Sequence, residues 1–174
     1  VSPSVPELPS RVVDELGDRI ASTVEVHQMM VLTADDADAA EQAAASVLST
    51  QDVSRVHVTV RAPANRTTVI DALYAALFPG AWHGARPRIL SDAEREIDAE
   101  LARPGRTALV VRDAQQLRTD GLTCPYGTWR AADDRNRPLS LALTGTPRLA
   151  QVLKRPLLDS VNSRIYTRYH LSSS

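Results

Sequence analysis

The stretch LSLALTGTPRLAQVL, residues 139–153, holds a strand, a turn and a helix in fifteen letters. Leu139 to Thr144 is an apolar run of strand length. Gly145 breaks it, and Thr146-Pro147 supplies an N-cap with proline at the first helical position, opening a helix that runs to Lys154. A strand passing directly into a helix is half of a β-α-β unit, so the flanking sequence is expected to repeat the alternation.

It does so in both directions. Upstream, Thr107 to Arg112 is a short apolar strand, and residues 113–135 are expected to hold two short helical pieces broken near Gly121 to Pro125. Downstream, Pro156 to Asn162 adds a turn or two before a final strand, Arg164 to Leu171. Val24 to Thr33 and Arg55 to Arg61 read as strands, the latter with Val56, Val58 and Val60 on one face. Helices are expected over 10–22 (Val12, Val13, Leu16, Ile20), over Asp36 to Leu48, and after Ala62-Pro63, where Val69, Ile70, Leu73 and Leu77 form a stripe. Another should open at a Ser91/Glu94 capping box and end before Pro104-Gly105. Five strands alternating with helices predict an α/β fold of three layers with a mostly parallel sheet. In such sheets ligands sit beyond the carboxyl ends of the strands, here the loops after Thr33, Arg112 and Thr144.

The chain has 174 residues and a formal charge of −1. Its proline-rich residues 1–9 read as a flexible lead-in, 10–171 as a single domain and 172–174 as a tail. One cysteine, Cys124, excludes a disulfide framework. The balanced charge gives no footprint for nucleic acid, and no apolar run reaches the roughly 20 residues of a membrane span, so a soluble cytoplasmic protein is expected. Nineteen of the twenty basic residues are arginine, the exception being Lys154, and no glycine lies between Gly17 and Gly80.

The second half, through ALVVRDAQQL, LSLALTGTPRLAQVL and RPLLDSVNSRIYTRYHL, resembles the AAA+ ATPases related to the TniB transposition and ExeA secretion proteins. The residues that carry the resemblance are Arg112-Asp113-Ala114-Gln115, Gly145-Thr146-Pro147, Ser163-Arg164-Ile165 and Tyr169-His170-Leu171. It implies a P-loop-NTPase core with ATP and Mg²⁺ at the strand ends, followed by a helical lid. Only Ser172-Ser173-Ser174 follow Leu171, so no lid is expected here.

A phosphate loop needs glycines that turn N–H groups inward, a lysine, and a hydroxyl for Mg²⁺. At the corresponding place stand Thr33, Ala34, Asp35, Asp36, Ala37 and Asp38, whose carboxylates would repel a triphosphate. Asp35 or Asp36 reads as the cap of the following helix, with Asp38 favouring its dipole; a calcium site is the sharper alternative but lacks a glycine and a spaced glutamate. The strand-end acids that hold metal and orient water are replaced in either register, by Arg112 and Asp113 or by Asp113 and Ala114. We therefore expect Arg112 to pair with Asp35, Asp36 or Asp38.

Thr144 matches the family's polar sensor and is equally ordinary turn chemistry. Arg164 matches its candidate trans-acting arginine, with Arg168 on the same strand face; both read otherwise as exposed or interfacial charges. His27, His57, His83 and His170 lack metal-ligand spacing. Trp82-His83-Gly84 and Trp129 hold the notable large side chains; Trp129, near Arg130, is a candidate stacking platform or partner anchor, and core or rim packing is its simpler reading. The expectation is a catalytically degenerate core with no bound cofactor. Its partner would be a protein, either an active AAA+ ATPase or a transposase-like one, and DNA finds no support in net charge. The rivals are an ATP-binding protein with an atypical loop and a truncated remnant of a mobile-element ATPase.

Overall fold

The computed structural model describes residues 10–60, 64–80 and 86–172. The expected lead-in 1–9, Ala62-Pro63, Trp82-His83-Gly84 and Ser173-Ser174 lie outside the described residues. Five strands, β1 (Met29–Ala34), β2 (Ser54–Val58), β3 (Thr107–Val111), β4 (Leu139–Gly145) and β5 (Ile165–Leu171), form one sheet in the order β2-β3-β4-β1-β5. All four pairings are parallel, where a mostly parallel sheet was expected. β1 and β4 are buried along their whole length, as strands covered on both faces must be.

Two helices, α1 (Ser10–Glu25) and α2 (Ala37–Leu48), cover one face. Ala40, Ala43 and Ala44 are buried there, their small side chains letting α2 lie close to the sheet. The other face carries α3 (Arg66–Leu77), α4 (Leu90–Leu101), α5 (Thr119–Asp134), α6 (Arg148–Leu153) and α7 (Asp159–Ser163). The result is the three-layer α/β architecture expected. Among the described residues no helix is long and apolar enough to cross a membrane.

Four local expectations are corrected. β1 begins at Met29 rather than Val24, because Val24 extends the Leu16–Ile20 stripe by one more turn and buries it as α1, after which His27 turns the chain at φ 55°. Residues 119–134 form one helix rather than two pieces. Pro125 removes a helical hydrogen bond, yet the continuous helix buries Leu122, Tyr126, Trp129 and Ala132 on one side. The capping box at Ser91 does not form: α4 starts at Leu90 with Ile89 at the N-cap, and the Glu94 carboxylate turns outward to pair with Arg66. α6 starts one residue late, with Pro147 as N-cap, though Leu149 N still donates to Thr146 O at 2.9 Å.

Candidate functional site

The carboxyl ends of β1, β3 and β4 meet where the resemblance places nucleotide. β1 passes into α2 through only two residues, Asp35 and Asp36. A segment that short has no backbone with which to wrap a phosphate. The amides of the first turn are also occupied: Asp36 Oδ1 accepts from Asp38 N at 3.0 Å, and Asp36 O accepts from Ala39 N at 3.1 Å. Asp36 is the cap, as one of the two expected alternatives had it. A helix capped by its own carboxylate presents little positive potential to an anion.

Arg112, the first residue past β3, reaches across this pole. Its Nη2 lies 3.2 Å from Asp38 Oδ1 and 3.1 Å from Glu41 Oε2, so the expected pairing forms with Asp38. Glu41 was missed as a partner. It follows Asp38 by three residues on the same helical face, a spacing visible in the sequence. Asp38 is 67% exposed and Glu41 17%, which makes Glu41 the more desolvated partner. His57 on β2 comes within 3.7 Å of Glu41, its Nδ1 buried and without a hydrogen bond among the described residues.

The remaining candidates are bound inward. Thr144, fully buried, donates its hydroxyl to Val111 O at 3.3 Å, across to β3. Thr33 Oγ1 and His170 Nδ1 share a 3.0 Å hydrogen bond between β1 and β5. Asp113 adopts φ 49° and accepts from Gln115 Nε2 at 3.3 Å, while Gln115 Oε1 accepts from Thr146 N at 3.3 Å. Gln115 thus ties the end of β3 to the turn after β4. It fills the space beside Gly145, where an added Cβ would collide with Oε1.

Arg164 and Arg168 do not join this cluster. Arg164 precedes β5, at the amino ends of the strands, where it pairs with Asp133 at 2.9 Å and lies 5.2 Å over the Trp129 ring. Arg168 donates to Asn162 O and Oδ1, both at 2.7 Å. Trp129 itself is wholly buried and donates from Nε1 to His27 O, so it is a core residue and no stacking platform. Among the described residues no three metal-ligating side chains converge. A cleft of about 370 Å³ between α3, α4 and α5 lies apart from the strand ends, bordered by Arg66, Glu94 and Cys124.

Compared by sequence, the chain matches no family model and no curated protein. Compared by structure, it is similar to Cdc6p from Pyrobaculum aerophilum, with a TM-score of 0.69 at 15% identity over 95% of this chain and 47% of that one. The Aeropyrum pernix ORC1 protein, solved in complex with DNA, gives 0.64 at 15% identity over 97% and 47%. Drosophila ORC bound to DNA gives 0.63 at 17% identity over 95% and 30%. The chain therefore spans less than half the length of these proteins. What it shares with them, at identities this low, is the fold alone: a five-stranded parallel sheet with helices on both faces.

Proposed function

We propose that this core binds no nucleotide and serves as an interaction or regulatory module built on an AAA+ scaffold. The observation that carries this reading is the Arg112 bridge to Asp38 and Glu41 across the strand ends. A guanidinium stands where a nucleotide site needs a carboxylate for Mg²⁺. Carboxylates stand where it needs a lysine and inward N–H groups. The two-residue link between β1 and α2 supports the same reading. The partner is a protein, an active AAA+ ATPase or a transposase-like protein of the kind the sequence resemblance suggests. Two of the structurally similar proteins are described bound to DNA, which supports nucleic acid as a further partner class.

Titration calorimetry with ATP and Mg²⁺ tests the closed pole. No heat of binding is expected up to millimolar ATP, and micromolar affinity would overturn the proposal in favour of an atypical ATP-binding protein.

A further inference from the structure

The chain's near-zero charge conceals a strong division. Between Arg137 and Ser172 stand six basic side chains and a single acid, Asp159, a formal +5; the other residues together carry −6. This part builds β4, α6, α7 and β5; α6 packs on α7, and α7 reaches β5 where Arg168 bonds Asn162. Arg148, Lys154 and Arg155 are exposed there and form no ion pair among the described residues. Among the described residues the Arg168 guanidinium is held by the neutral Asn162, which fixes it without cancelling its charge.

β5 is an edge strand with two unlike faces. Thr167, Tyr169 and Leu171 turn toward α1 and α2, Thr167 bonding Thr23 at 2.8 Å. Arg168 and His170 turn the other way and are exposed, and Tyr166 is exposed at the start of the strand. The pairing passes from Met29–Ile165 to Met30–Thr167 and skips Tyr166, a bulge that leaves the ring 55% exposed between Arg164 and Arg168.

We propose that the exposed side chains of β5, together with Lys154 and Arg155 at the end of α6 across α7, bind single-stranded nucleic acid: Arg168, Lys154 and Arg155 contact phosphates while Tyr166 stacks a base. A tracked positive surface with an interleaved ring is what sequence-tolerant single-strand binding requires, since every base has a stacking face. An acidic protein segment would use the same charges but gain nothing from a flat exposed ring. The proposal does not use Arg112 and is independent of whether the strand-end pole takes nucleotide.

Fluorescence anisotropy of a labelled oligothymidylate of about a dozen nucleotides tests this on the full chain. Binding should weaken with salt, with a log–log slope of about −2 to −3 for three or four phosphates. Tyr166→Ala should weaken it about tenfold and Tyr166→Phe should keep it. The paired Lys154→Glu and Arg155→Glu changes should abolish it. All these side chains are exposed, and circular dichroism checks that each variant is folded. The proposal is overturned by absent or salt-indifferent binding, or by an equal preference for duplex that Tyr166→Ala leaves untouched. Polyglutamate that displaces the labelled oligonucleotide by binding more tightly would also overturn it and mark an acidic protein as the occupant.

Discussion

Arg112 and Glu41 stand 3.1 Å apart, one just past the end of β3 and the other on the second turn of α2, and they join the two layers that meet at the strand ends. Arg112 also touches Asp38, but that carboxylate is mostly in water. Screening should therefore divide the two contacts unequally. A double-mutant cycle read by urea unfolding should give about 1 kcal/mol of coupling for Arg112→Ala with Glu41→Ala. With Asp38→Ala it should give less than about 0.5 kcal/mol. Equal couplings would mean that Glu41 is not the principal partner.

Glycine substitutions should act in opposite directions at two helical positions. A Cβ at Gly121 would run into the backbone carbonyl of Ala64, which also accepts from Arg118 N at 2.9 Å and cannot easily retreat. Gly121→Ala is expected to cost about 1–3 kcal/mol. Gly17, in the middle of α1, has nothing within 4 Å of the same added atom. Gly17→Ala should stabilise by about 0.5–1 kcal/mol. Thermal melts of the two variants decide the matter; a neutral Gly121→Ala would show that the 64–65 segment moves freely.

Burial pushes the Cys124 thiol up to about 12, Glu94 adding to the effect and Arg66 opposing it. Only the thiolate alkylates, so iodoacetamide at neutral pH should label the folded protein at least about a hundredfold more slowly than the unfolded chain. Rapid native labelling, followed by mass spectrometry, would contradict a closed cleft around Cys124.

Asp98 is held above its ordinary value of 3.8, first by burial and then by Glu94, against the pull of Arg135 and Arg137. The folded chain thus takes up this proton more readily than the unfolded chain does. Above the raised folded value the charged carboxylate costs stability. That cost disappears as pH falls through the folded value toward 3.8. Asp98→Asn should accordingly raise Tm slightly at pH 7, with the gain vanishing below the ordinary aspartate range. A gain that persists in acid would point to a cause other than charge.

Much of this was legible in one dimension. Strand order along the chain, a cap at Asp35 or Asp36 and a pairing of Arg112 with one of three aspartates follow from apolar runs, local capping chemistry and an inversion of charge at two places. What was not legible depended on competition between distant parts. Pro125 argues locally for a break, and only the burial of Trp129 and Tyr126 against the sheet shows why the helix continues through it. Ser91 and Glu94 have capping-box spacing, but Arg66, on another helix, offers Glu94 a charged partner that no local rule contains. Net charge is silent in the same way, because a sum over the chain discards where the charges stand.

The position of β1 carries a consequence for synthesis. This strand is made early, yet both of its neighbours, β4 and β5, belong to residues 139–171. On a growing chain Met29 to Ala34 must wait, apolar and unpaired, until more than a hundred further residues have left the ribosome. Such long-range closure slows folding and exposes a sticky segment for the longest time. Of the strands in this sheet, β1 is therefore the one whose pairing waits longest, and it is completed only once β5 has been made.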